Sequence, residues 1–154
     1  ESGTAAIEFA VIALPMFIFA FGTIDVSLLM FADNVVNRAA ADAARQIRTG
    51  AMRSVSDAAA FRQQLCAASY GFLDCTALHL DVRTFPSWAA VTWAPPQYDQ
   101  DGNVANFTFA LGGPGAITTV RVLYDYRVIT PGLSFVADHL DRVATVVFLT
   151  EPYE

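Results

Sequence analysis

Phe9-Ala10-Val11-Ile12-Ala13-Leu14-Pro15-Met16-Phe17-Ile18-Phe19-Ala20-Phe21-Gly22-Thr23-Ile24 is an apolar run without one charged side chain. Past Asp25 it continues through Val26, Leu28, Leu29, Met30, Phe31 and Ala32. Together these supply the twenty or so residues that a helix needs to cross about 30 Å of hydrocarbon. Small residues, Gly3 to Ala6, and an acid, Glu8, stand just before the run. A secretory signal peptide requires a basic leader, a shorter core and small residues at its cleavage site. None of these is present: no basic residue comes before Phe9, and Phe17, Phe19, Phe21 and Phe31 are bulky. The stretch reads as a retained membrane helix.

The helix should not end at the membrane surface. Val35, Val36, Ala39, Ala40, Ala43, Ala44 and Ile47 recur at helical spacing, while Arg38, Asp42, Arg45 and Arg48 fall on the opposite side. Gly50 is a natural terminator, so one rod from about Ala5 to Thr49 is expected, roughly 65–70 Å long. Pro15 lacks an amide proton and is expected to kink or loosen it.

After Gly50 no second apolar stretch reaches membrane length, and 154 residues suit one anchored domain. The expected division is 1–50, a membrane-spanning and extended helix, and 51–154, an α+β domain packed on the C-terminal half of that helix. Ser54 or Ser56 is placed to cap a short second helix through about Ala68, with Phe61 and Leu65 as its inner pair. From Thr76 the period changes to two. Leu78, Leu80 and Val82 alternate with His79, Asp81 and Arg83, Phe107, Phe109 and Leu111 with Thr108 and Ala110, and Val120, Val122, Tyr124, Tyr126 and Val128 with Arg121, Leu123, Asp125, Arg127 and Ile129. A last strand is expected over about Val143 to Thr150. Pro95-Pro96, Gly112-Gly113-Pro114-Gly115 and Pro131-Gly132 mark the connections, and Asp99 to Asn103 reads as a hairpin turn rather than a calcium loop. Two helices and then four strands make an α+β fold with an antiparallel sheet. Trp88, Trp93 and Tyr98 are assigned to the core by default, with a contact loop as the alternative.

The net charge of −6, with nine Arg and no Lys, excludes a nucleic-acid-binding surface, which needs clustered cations. Cys66 and Cys75 read as one disulfide closing a short loop in an exported domain. Arg38, Arg45, Arg48 and Arg53 follow the span, and the positive-inside rule alone would put that side in the cytoplasm. The disulfide argues the reverse, and residues 33–154 are placed outside the cytoplasm. No metal set, cofactor loop or catalytic motif emerges. His79 and His139 are the only histidines, and Asp138, His139 and Asp141 are too local to form a nucleophile, base and orienting group. A surface helix or turn explains that segment better.

The segment Gly3-Thr4-Ala5-Ala6-Ile7-Glu8-Phe9, followed by an apolar helix, resembles the N-terminus of type IV pilin-like proteins, specifically the TadE-like minor pilins of the tight-adherence (Tad) pilus. The ending Ala144 to Tyr153, with its Glu-Pro-aromatic close, and the strand Val120 to Tyr126 are similar to that family as well, whereas 50–115 carries no family pattern. The resemblance implies a structural or assembly role in a pilus, not an enzyme. It also implies export to the inner membrane, with the C-terminal domain in the periplasm or extracellular in the filament, and packing against other pilus subunits and assembly proteins through the helix. A prepilin peptidase would cut after Gly3, making Thr4 the new terminus with Glu8 five residues in. A bitopic membrane protein with a ligand- or partner-binding outer domain, and a pilin that polymerises alone, are the alternatives.

The candidate assembly residues are Glu8, Phe9, Pro15, Gly22 and Asp25. An ionised carboxylate in an apolar setting is costly unless a neighbour supplies a cation or the helix N-terminus favours it. For Asp25 the plain alternative is solvation at the interface. Gly22, with Ala6, Ala10, Ala13, Ala20 and Ala32, would let a second helix approach closely.

Overall fold

A computed structural model of the protein describes residues 2–51, 58–67, 69, 71–100, 103–130 and 139–152. Helix α1, Ser2–Arg48, is a single rod of 47 residues, about 70 Å long. Pro15 lies inside it, and the helical backbone runs on without a break. Gly50 ends the rod as the sequence suggests. Its φ is 73°, and the Gly50 amide donates to Ile47 O and the Ala51 amide to Gln46 O at 3.1 and 3.0 Å. That paired closure is the Schellman arrangement, which needs the left-handed residue glycine provides.

Helix α2, Ala58–Ala67, buries Phe61 and Leu65 as expected. The serines proposed as its cap, Ser54 and Ser56, lie outside the described residues, as does Ala68. Strands β1, Leu78–Phe85, β2, Ile117–Arg127, and β3, His139–Leu149, form an antiparallel sheet in the order β1-β2-β3. The fold is α+β.

Among the described residues the sheet has three strands, not four. The expected strand at 107–111 reduces to a single parallel bridge, Phe109 against Val82 on the free edge of β1. Val82 N donates to Thr108 O at 2.7 Å, and Ala110 N donates to Val82 O at 2.9 Å. Pairing goes no further because the Thr108 amide donates to the Asp81 side chain, at 2.9 Å, instead of to a ladder carbonyl. The last strand also starts earlier than expected: His139 and Asp141 stand in β3 and pair with Arg127 and Asp125, not in a surface helix or turn.

The core lies between the second half of α1 and one face of the sheet. Val36, Ala39, Ala40, Ala43, Ala44 and Ile47 from the rod meet Val120, Val122, Tyr124, Tyr126, Ala144 and Phe148. The alanines keep the helix surface flat, so the sheet can approach it closely. Arg38, Asp42, Arg45 and Arg48 are exposed on the other side, as the stripe predicts.

Strand β2 is buried on both faces, which period-two reasoning does not anticipate for an antiparallel sheet. Its second face is covered by residues 91–100 and 103–110. Arg121 donates to Ala94 O at 2.9 Å and lies under the Phe107 ring, and Leu123 beside it is fully buried. Asp81 anchors that cover. It is almost fully buried, opposes Arg121 in the β1–β2 register, lies 3.6 Å from its guanidinium and accepts from Arg83 Nε at 2.8 Å. Arg83 reaches on to Asn106 O, and the Asn106 side chain donates to Pro95 O and accepts from Gln97 N.

Core burial fails for three aromatics that follow β1. Trp88, Trp93 and Tyr98 are 60%, 56% and 45% exposed, because the sheet face beneath is already filled by the Asp81–Arg121 network and Leu123. Tyr98 instead donates to Asp141 Oδ2 at 2.7 Å. The hairpin turn expected from Asp99 is present at its base: Tyr98 bridges Val104, and the Asn103 amide donates to Asp99 Oδ1. Asp101 and Gly102 lie outside the described residues.

Candidate assembly surface

Among the described residues, little packs against the first half of α1. Ile7, Phe9, Val11, Ile12, Leu14 and Phe19 are each at least 67% exposed. Water does not tolerate a contiguous apolar surface of this extent, so lipid or other helices must cover it. By length and composition the helix can cross a membrane, and only 6% of its most apolar window is buried within the chain.

Glu8 and Phe9 lie exposed near the start of this surface, and among the described residues none bonds to the Glu8 carboxylate. Gly22 is half-buried and sits one turn before Asp25. Gly3 and Thr4 are in the first turn of α1. A Cβ added at Gly3 would meet nothing within 4 Å, so packing within the chain does not demand glycine there, although glycine in a helix costs about 1 kcal/mol relative to alanine.

Asp25 is not a solvated interfacial acid. It is 7% exposed and accepts three hydrogen bonds from the far end of β2 and the residues after it. The Tyr126 hydroxyl donates to Oδ1 at 2.9 Å, Ile129 N to Oδ1 at 3.2 Å and Thr130 N to Oδ2 at 2.7 Å. The carboxylate thus clamps the sheet to the rod at the point where the rod leaves the core. Burial, with the Asp25 bond second, pushes the Tyr126 phenol up to about 12, since a phenolate would face a carboxylate in a water-poor site. A signal for this pairing was absent from the sequence because the partners stand 101 to 105 residues downstream.

Cys66 and Cys75 are joined in a disulfide with Cα atoms 5.7 Å apart. It fastens the end of α2 to the 3-10 turn Cys75–Ala77, whose entry is capped by Asp74 accepting from Thr76 N at 2.9 Å. The Thr76 hydroxyl and amide hold the Asp74 carboxyl below its usual range.

A family model described as TadE-like protein matches residues 3–45. The match covers the apolar surface, Asp25 and most of the amphipathic half of α1, and it bears out the resemblance read from Gly3 to Phe9. No curated protein and no solved structure matches the chain.

Proposed function

We propose that this chain, whose first helix is TadE-like, is a structural component of a Tad-type type IV pilus: a minor pilin acting in initiation, at the tip or in filament assembly. The observation that carries this reading is the exposed apolar half of α1 bearing Glu8, within the stretch that the TadE-like model matches. Such a surface lets one helix be stored in a bilayer and then exchanged into a bundle of like helices, because both settings satisfy its backbone internally and its side chains with apolar neighbours. The partners are other pilus subunits and assembly proteins, met through the helix.

In this reading α1 is held in the inner membrane and residues 51–154 form the periplasmic domain, where the Cys66–Cys75 bond is stable against reduction. Gly3, unconstrained by packing, is kept for a prepilin peptidase that cuts before Thr4. The freed α-amine would then supply the cation that the Glu8 carboxylate lacks among the described residues.

The test is N-terminal mass spectrometry of the protein from sheared filaments and from membranes. A Thr4 start in the filament fraction is expected. Recovery from membranes alone, with residues upstream of Thr4 retained, would make it a bitopic protein outside the filament.

A further inference from the structure

The Asp25 clamp fixes the depth of the sheet domain relative to the rod. Ala5 to Ile24 are 20 residues, about 30 Å of helix, one hydrocarbon thickness. With these 20 residues taken as the hydrocarbon-crossing part of the longer apolar run, Asp25 stands at the boundary, and its bond to the Ile129 amide holds Ile129 at the same level. Ile129 is 69% exposed. Six residues further along α1, roughly 9 Å past the boundary, Phe31 stacks edge-on against Phe72 with ring centroids 5.2 Å apart, and Phe72 is 70% exposed. Helical side chains tilt toward the N-terminus, which brings the Phe31 ring, and Phe72 with it, closer to the boundary. Between rod and sheet at this level opens a notch of about 330 Å³ lined by Phe21, Ile24, Asp25, Leu28, Ile129 and Thr130. It is continuous with the apolar surface of the span, and the exposed Arg127 lies two residues from Ile129.

We propose that Ile129 and Phe72 are a membrane seat: with the sheet domain clamped at Asp25, they lie in the headgroup layer of the bilayer that α1 spans, and lipid fills the notch beside Ile129. The seat rests on the reading of α1 as a membrane span. Lipid is the occupant because both residues fall within the 5–8 Å of headgroup layer, or just above it, that borders the hydrocarbon on each side. Two exposed apolar side chains at that depth, with a cation nearby, match an interfacial anchor.

The experiment places a single environment-sensitive fluorophore on an added cysteine, with the native disulfide kept oxidised, in the full chain reconstituted into phosphatidylcholine and phosphatidylglycerol vesicles. The variants are Ile129→Cys, Phe72→Cys, Phe17→Cys within the span and Thr49→Cys at the far end of the rod. Emission at 129 and 72 is expected to shift to the blue and to be quenched most by lipids carrying a doxyl group near the headgroup. The Phe17→Cys label should be quenched most by a deep doxyl group, and the Thr49→Cys label by neither. Deep quenching at 17 with water-like emission at 129 overturns the seat and leaves the span intact. Water-like emission at 17 as well overturns the span, and the seat with it.

Discussion

Tyr126 and Asp25 stand 101 residues apart in the chain and 2.9 Å apart in the fold, the phenol donating to the carboxylate. Removing the acceptor would orphan the amides of Ile129 and Thr130 and leave that hydroxyl only the Asp25 carbonyl, at 3.5 Å. Each buried donor left unpaired costs roughly 1–3 kcal/mol, less where water can enter. Asp25→Ala should therefore weaken the sheet-to-rod junction by about 3 kcal/mol. Hydrogen exchange at the Ile129 and Thr130 amides is the direct readout: both should exchange much faster in the variant. Unchanged protection at both would mean that the clamp holds nothing.

The same pair makes the junction sensitive to alkali. The folded Tyr126 phenol ionises near 12, against about 10 when unfolded. A group whose folded value is raised gives stability that is complete below the unfolded value and is lost as pH climbs toward the folded one. Stability should therefore fall between pH 10 and about 12, by on the order of 2 kcal/mol from this residue. Tyr98, pushed up by burial and then by its bond to Asp141, acts in the same direction. Tyr126→Phe should reduce the alkaline decline in a urea titration without abolishing it. An identical decline in the variant would assign the effect elsewhere.

Where the sequence was legible, the signal was local. The rod, its stripe from Val36 to Ile47 and its stop at Gly50 follow from spacing and from the conformational freedom of one glycine, all within about fifteen residues. The alternation over 107–111 was also real, but it describes a segment facing two environments, not a strand with a partner. Asp81, 27 residues upstream of Thr108, claims the amide that a ladder would need. Asp25 failed to reveal its role for the same reason. An acid at the end of an apolar run looks like an interfacial group until the fold brings it a phenol and two amides.

Asp81 gives a second test of buried polarity. It accepts from Arg83 and from the Thr108 amide while facing Arg121, which is only 5% exposed. Truncating one member of a buried ion pair leaves the other charge uncompensated and typically costs about 3–5 kcal/mol. Asp81→Ala should cost that much in urea unfolding and release the 91–110 cover, opening its peptide bonds to protease. Asp81→Asn, which still accepts a hydrogen bond, should cost less. Equal loss in both variants would show that charge, not bonding, holds the cover in place.

Glu8 and Gly22 separate folding from assembly. Neither belongs to the buried cluster that joins α1 to the sheet, so Glu8→Ala and Gly22→Leu should leave the thermal unfolding of residues 25–152 within about 0.5 kcal/mol of the parent. In a filament the two changes act differently. On the proposed reading, Glu8→Ala removes the charge that would pair with a neighbouring cation, whereas Gly22→Leu adds bulk where a second helix would approach closely. Each should leave the protein inserted in the membrane while depleting its crosslinks to other pilus subunits. Full crosslinking in both variants would place the assembly contact elsewhere on the chain; loss in Glu8→Ala alone would identify the contact as electrostatic and leave the surface around Gly22 facing lipid.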